Sequence, residues 1–484
     1  MKTLRRSLAY SAADSYIALV LQLAGTVVIA RILTPEEIGI FGIAAVFTAL
    51  ASAFRNFGIV EYLIQEKELT HDTIRVALGV NIVVSWTIGG MLFVLAEPLA
   101  EFFRHPAVAD VIHVQVLSFL AIPFGAIAMA WYRRELDMRP VFVAGVVANS
   151  VQFVVSVGLA LNGHSYMSLA WAGLAGVLST VAVAIAFRPA GFPRMPTLRG
   201  WRRVFHFGKH ASGIYMFGQL GNGAPEMVIG RAEDPVSVAL FGRANALVEL
   251  FNRLVVNAVW PVVLPYFARA ERENGDVKSA YLGGVGHLTV LSWPLLICMG
   301  LLTYSAIRII YGPQWSESVL PAKVLCAAAA VGVTYHLTKD TLLAKGLVKQ
   351  SNVLQIATVG LRVAGLLLVV PFGLIGACWG LLAATIASAV LSHLALRRHI
   401  GLRLAEVVSH CWPSLRMALL ANLPVAVLAV WVPPSEGNYL NLAVAGGVLF
   451  LACYAGLMHR AQHPLWLEAL RLLSAGWRRL RGLG

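Results

Sequence analysis

The sequence predicts an all-α polytopic membrane protein of 14 transmembrane helices: two pseudo-symmetric six-helix lobes in a parallel repeat, plus two C-terminal helices. Three observations predict it. Of the 484 residues, 58% are hydrophobic and only 13% charged, and the mean hydropathy is +0.74. Fourteen apolar runs reach the length of about 20 residues that a helix needs to cross the hydrocarbon core. The chain also matches itself at a shift of 200 residues. Soluble domains carry roughly twice this charged fraction, so a soluble fold would lack the polar surface to meet water. The composition equally excludes disordered, collagenous and disulfide-scaffold classes.

The runs are 11–33, 37–57, 74–96, 107–131, 140–162, 165–187, 205–230, 236–265, 280–304, 317–338, 352–371, 374–396, 412–432 and 439–459. Lys2, Arg5 and Arg6 before the first resemble a signal peptide, but the apolar stretch is too long and leads straight into further spans, so it reads as a retained helix. Thr34-Pro35-Glu36-Glu37 supplies an N-cap, a proline at N1 and acidic residues in the first turn, and starts the second helix. Thr70, His71 and Asp72 open the third in the same way. The organisation is then an N-lobe at 1–190, a cytoplasmic linker at 191–204, a C-lobe at 205–400, the added helix pair at 401–462 and a basic tail at 463–484. In the tail, Trp466, Leu470, Leu473 and Trp477 share one helical face and Arg471, Arg478, Arg479 and Arg481 the other, which suits either a helix lying in the interface or a frayed basic end.

The net charge of +14 follows the topology. With the N-terminus in the cytoplasm, thirty of the 38 Lys and Arg fall on the inner segments, and only Arg31, Arg104, Arg231 and Arg308 on outer loops. This split places both termini in the cytoplasm, supports an even helix count and needs no nucleic-acid partner. Four basic residues are left inside spans: Arg243, Arg253, Lys323 and Arg362. The cysteines 298, 326, 378, 411 and 453 lie in or beside apolar runs without a CxxC pair and read as buried thiols, with neither disulfide nor metal.

The repeat rests on residues that are costly to match by chance. Val28, Ile29, Arg31, Pro35, Phe41, Gly42 and Ala44 recur as Val228, Ile229, Arg231, Pro235, Phe241, Gly242 and Ala244. Further on, Ser85-Trp86 matches Ser292-Trp293, and Trp171 matches Trp379. Six helices per copy is even, so both copies enter from one side, related by an axis along the membrane normal. Two such lobes suggest a transporter that rocks between inward- and outward-open states.

Ionisable residues at membrane depth mark functional sites by default. Segment 7 carries a stripe of Ser212, Tyr215, Gln219, Asn222 and Glu226, and segment 1 offers Ser15 and Gln22 beside Asp14. Segment 8 shows Asn245, Glu249 and Asn252, flanked by Arg243 and Arg253; segment 2 shows Ser52 and Asn56 beside Arg55. Arg362 sits mid-span in segment 11 and Lys323 in segment 10, whose inner end carries His336, Lys339 and Asp340. A shared cavity walled by these arginines would favour an anion, since the guanidinium fork matches phosphate. The amides also serve as helix glue, and Glu249–Arg253 also reads as a packing bridge. No catalytic triad, metalloprotease motif or large outer loop is present.

A series of short motifs carries a family resemblance: Ala30-Arg31-Ile32-Leu33-Thr34-Pro35-Glu36-Glu37-Ile38-Gly39, Phe57-Gly58-Ile59 with Leu63-Ile64-Gln65, Arg133-Arg134-Glu135-Leu136-Asp137-Met138, Phe207-Gly208, Ile229-Gly230-Arg231, Phe241-Gly242-Arg243-Ala244, Pro261 to Pro265, and Tyr311-Gly312-Pro313-Gln314-Trp315. In order and spacing the chain resembles Wzx-type oligosaccharide flippases, the polysaccharide transporter branch of the multidrug/oligosaccharidyl-lipid/polysaccharide (MOP) flippase superfamily. The resemblance implies a non-enzymatic, multi-pass protein of the bacterial inner membrane. It would move an undecaprenyl-pyrophosphate-linked oligosaccharide outward by alternating access, for exopolysaccharide, capsule or O-antigen (lipopolysaccharide) export. It further implies a monomeric transport unit working beside polysaccharide polymerase and export machinery, and cavity arginines for which Arg55, Arg243 and Arg253 are the nearest candidates, joined from the residue pattern by Arg362 and Lys323. Segment 1 departs from the pattern in having no mid-span arginine. Asp14, Glu226 and Glu249 are the candidates for proton or sodium coupling; no bound cofactor is expected. The competing readings are a drug/cation antiporter of the same superfamily, which predicts an anionic cavity, and a membrane polymerase or ligase of lipid-linked sugars, which predicts a large outer loop.

Overall fold

The computed structural model describes residues 2–462 apart from 57, 190, 194, 274 and 275, together with Trp466. The rest of the basic tail at 463–484 lies outside the described residues. Among these residues every regular element is helical.

The chain forms two compact units, Met1–Gly242 and Arg243–Gly484. The first contains α1 (Lys2–Ile32), α2 (Pro35–Asn56), α3 (Ile59–Gln65), α4 (His71–Phe102), α5 (Ala107–Arg134), α6 (Met138–Leu161), α7 (Met167–Ala186), α8 (Trp201–Ala232) and the start of α9 (Pro235–Phe251). In the second, α9 runs into a π-helical turn (Asn252–Val256), then α10 (Asn257–Glu273), α11 (Val277–Leu301) and α12 (Thr303–Ile310). A 3-10 turn (Pro313–Ser318) leads to α13 (Val319–Val333), α14 (Thr338–Ala344), α15 (Val348–Val369), α16 (Gly373–Ile400), α17 (Leu404–Trp431) and α18 (Tyr439–Arg460).

Eleven helical stretches among the described residues are long and apolar enough to cross a membrane. One, Val348–Ile400, has 53 residues. At about 1.5 Å per residue that far exceeds one crossing of about 30 Å, and the 3-10 turn Val370–Phe372 divides it into α15 and α16. The expected spans 205–230 and 236–265 fall on α8 and on α9 with its continuation, and are not among the eleven, which are counted over the described residues alone. The protein is thus a multi-pass, all-helical membrane protein.

The helix starts follow from caps. Thr34 N donates to Glu37 Oε2 at 2.7 Å while Glu37 N donates to Thr34 Oγ1 at 3.3 Å, a reciprocal capping box at α2. The repeat preserves the device with a different residue: Asp234 Oδ1 accepts from Ser237 N at 2.7 Å ahead of Pro235. Thr70 Oγ1 accepts from Thr73 N at 3.1 Å to open α4. The segment before α8 is tied down as well, since Arg75 Nε donates to Met195 O and Thr197 N to Arg75 O, each at 3.1 Å. Within the first unit α8 lies along α2, with Gly230 against Ile43 and Gly223 against Val46.

Helices α11, α17 and α18 show how prolines are tolerated at membrane depth. Pro294 has no N–H for the carbonyl four residues earlier. That carbonyl, on Val290, instead accepts from Tyr454 Oη of α18 at 3.0 Å, as membrane helices require of any freed backbone group. Asn422 Nδ2 of α17 donates to Pro294 O at 3.0 Å, and Thr289 Oγ1 to Ser414 Oγ at 3.1 Å. Tyr454→Phe keeps the ring and strands the Val290 carbonyl. We expect a loss of about 1–3 kcal/mol, seen as a lower thermal midpoint of the purified protein, with little change from Tyr439→Phe.

Candidate functional site

Each unit contains a polar cavity: residues of α2, α3, α4, α5 and α7 line the first, and residues of α9, the π-helical turn, the segment from Tyr335 to Lys339, α15 and α16 line the second.

In the first unit a cavity of about 290 Å³ is lined by Arg55 and Asn56 at the end of α2, Asn81 of α4, Arg133 at the end of α5 and Thr180 of α7, among apolar residues. Arg55 is half-buried. Its Nη2 donates to Asn56 Oδ1 at 2.8 Å, its guanidinium lies 5.8 Å from the Phe119 ring centre, and its Nε is buried with no hydrogen-bond partner. No carboxylate is among the lining residues. A fixed guanidinium with a spare donor, beside a second arginine, is an anion site of the kind that phosphate fits. The neighbouring Arg134 acts differently: its Nη1 donates to Leu63 O at 2.7 Å, so two of the short motifs are joined in space.

Asp14 packs against Gly145 of α6, its Oδ1 buried without a hydrogen-bond partner, and the charge of Arg133 acts on it. Gln22 and Asn222 are exposed, and Gln219 and Glu226 half-buried; Gln22, Gln219 and Glu226 each have an interaction partner. The side chains of Ser212 and Tyr215 lie outside those described.

In the second unit a cavity of about 460 Å³ is lined by Glu249 and Asn252, by Tyr335, His336, Thr338 and Lys339 between α13 and α14, by Ser351, Gln355 and Thr358 of α15, and by Ser392 of α16. Glu249 lies 3.6 Å from Arg253, both side chains about half exposed. Arg362 extends the α15 stripe one turn beyond Thr358, and its charge acts on Tyr335 and His336. Asn245 is half-buried and Lys323 exposed; Asn245, Arg253, Lys323 and Arg362 do not line the cavity. Glu249, Asn252, His336 and Lys339 are among the polar residues singled out in the sequence; Ser351, Gln355, Thr358 and Ser392 are not. The signal was present: Ser351, Gln355, Thr358 and Arg362 recur at spacings of four, three and four, one face of a helix.

Arg243 has a different setting. Its guanidinium lies 5.0 Å from the Trp315 ring centre and 5.3 Å from that of Tyr311, both rings buried, and its Nε has no hydrogen-bond partner. The turn between the rings needs Gly312, whose φ is +103°. The Phe241-Gly242-Arg243-Ala244 and Tyr311-to-Trp315 motifs are therefore one aromatic clamp on a cation. A third cavity, about 1000 Å³ and mostly apolar, lies between α16 and α17, edged by His393, Arg397 and Arg403.

The fold is that of an all-helical, multi-pass membrane protein. It is similar to the lipid II flippase MurJ in an inward closed conformation, with a TM-score of 0.76 over 94% of this chain and 100% of that chain at 12% identity. It is also similar to an inward-facing multidrug resistance MATE family transporter of the MOP superfamily, with a TM-score of 0.63 over 82% and 98% at 15% identity. The family model described as polysaccharide biosynthesis protein matches residues 28–320, and the chain belongs to that family. Among curated relatives, the succinoglycan biosynthesis transport protein ExoT of Rhizobium meliloti is 24% identical over 324 residues, 65% of this chain and 64% of that protein, so this match spans somewhat under two thirds of the relative. The lipopolysaccharide biosynthesis protein WzxC of Escherichia coli is 21% identical over 480 residues, 96% of this chain and 94% of that protein.

Proposed function

We propose that the protein is a flippase that carries an undecaprenyl-pyrophosphate-linked oligosaccharide across the bacterial inner membrane by alternating access, for polysaccharide export. The observation that carries this reading is the cavity at Arg55 and Arg133: two arginines at one polar pocket, with no carboxylate lining it. A pyrophosphate needs such a pocket, whereas a cationic drug needs the opposite sign. The family, and the lipid II flippase named among the similar folds, support the same substrate class. The apolar groove between α16 and α17, with its basic edge, suits a polyprenyl chain. In this reading both termini are cytoplasmic, no bond is made or broken, and Asp14, Glu226 and Glu249 are the acidic groups proposed for ion coupling.

Deleting the gene in its own strain is expected to abolish surface polysaccharide and to accumulate the lipid-linked oligosaccharide on the cytoplasmic face, and restoring it to reverse both. Unchanged surface polysaccharide in the deletion strain overturns the proposal. Glycosyl transfer by the purified protein would assign it to the polymerase or ligase class instead.

A further inference from the structure

The cavity of the second unit contains hydrogen-bonding capacity that the protein itself leaves unused. Ser351 Oγ, Gln355 Oε1 and Ser392 Oγ are all buried without a hydrogen-bond partner, and Ser351 and Ser392 are each only 1% exposed. Buried polar atoms are nearly always paired. Three orphans on one wall, supplied by α15 and α16, therefore mark a place where something else completes the bonding. The cavity volume, about 460 Å³, lies in the range of about 300–1,000 Å³ typical of small-molecule sites.

The lining selects the chemistry. Hydroxyls and amides both donate and accept, so the matching ligand carries donors and acceptors at close intervals over its whole surface. Tyr335 and His336 add two rings set nearly perpendicular, 6.1 Å apart, which offer apolar faces within a polar pocket. A metal cation is disfavoured: Glu249 is the one carboxylate among the lining residues, it lies 3.6 Å from Arg253, and Lys339 shares the wall. An anion is disfavoured by Glu249 itself. Asn252 enters the wall at the first residue of a π-helical turn, a distortion frequent at functional sites. A polyhydroxylated ring fits each of these features.

We infer that this cavity is a sugar-binding subsite, in which Ser351, Gln355 and Ser392 bond the hydroxyls of one ring of the substrate oligosaccharide. The inference rests on the flippase reading for the source of that oligosaccharide. It assigns different chemistry to the cavities of the two units: arginines for phosphate in the first, hydroxyls and amides for sugar in the second. Sugar selectivity then resides in the second unit, because a site built to bond a hydroxyl rejects an analogue lacking it far more strongly than an apolar pocket rejects a change of size.

The test uses the full-length purified protein in lipid nanodiscs and, as probe, the repeat-unit oligosaccharide released from the strain's own polysaccharide, free of lipid and phosphate. Binding is read by calorimetry. The wild type and Tyr439→Phe, a position outside the cavity lining, are expected to bind it equally. The Ser351→Ala/Ser392→Ala double variant is expected to bind about tenfold more weakly or worse. Gln355→Glu, which preserves size, serves as the second variant, and thermal unfolding verifies that each is folded. Equal binding by the folded variants, or no binding by a wild type that supports export, overturns the subsite and leaves the flippase reading intact. Binding lost in the variants while the wild-type gene fails to support export overturns the flippase reading and leaves the subsite intact.

Discussion

Arg55→Ala is expected to reduce polysaccharide export to a small residue of the wild-type level at unchanged protein abundance. The guanidinium is held by Asn56 at 2.8 Å and lies over the Phe119 ring, so its position is set before any ligand arrives. Its buried Nε has no hydrogen-bond partner, which leaves a donor for an anionic oxygen. A charge-assisted hydrogen bond is worth about 1.5–3 kcal/mol, roughly a 10- to 150-fold loss of affinity per bond removed, and a fork bonding two oxygens loses more. Arg55→Lys should recover part of the export: it restores the charge but not the two parallel donors. Arg133→Ala is expected to act in the same direction but less strongly, since Asp14 already shares the field of that side chain. Export undiminished in Arg55→Ala removes the phosphate role from this cavity.

What the sequence discloses and what it withholds divide along a physical line. Helix starts are local: Thr34, Glu37 and Thr70 bond to backbone within three residues, so spacing alone reveals them. The repeat is legible because the break between α1 and α2 and that between α8 and α9 carry the same arginine, proline and Phe-Gly at fixed distances. The cavities are not legible in this way, because each is assembled from four or more elements distant in the chain. Arg133 reads as a loop charge on a cytoplasmic segment, yet it lines the first cavity, while Arg134 beside it pins a backbone carbonyl. Arg243 stands out as a charge inside a span, and only the fold shows two aromatic rings, nearly 70 residues on, closing over it. Two neighbouring arginines, or two arginines within spans, have the same one-letter signature and different neighbours; the neighbours decide the role.

The crossing of α15 and α16 supplies the second large effect, on folding rather than on transport. A β-carbon on Gly365 would lie 2.7 Å from the carbonyl oxygen of Gly380, and one on Gly380 would meet the Gly365 carbonyl closer still. The two backbones touch, as small residues allow where membrane helices must associate without a hydrophobic driving force. Gly380→Ala is expected to cost about 1–3 kcal/mol through forced separation of the helices, and Gly380→Leu to prevent stable accumulation in the membrane. Thermal unfolding of the purified alanine variant and membrane abundance of the leucine variant check this; a wild-type midpoint for Gly380→Ala would show that the crossing relaxes freely. Because Ser351, Gln355 and Thr358 lie on α15 and Ser392 on α16, the contact also sets the width of the second-unit cavity. A folded Gly380→Ala protein should therefore lose affinity for the free oligosaccharide while retaining the Arg55 site in the other unit, so a packing contact with no ligand chemistry of its own governs the sugar cavity of its own unit.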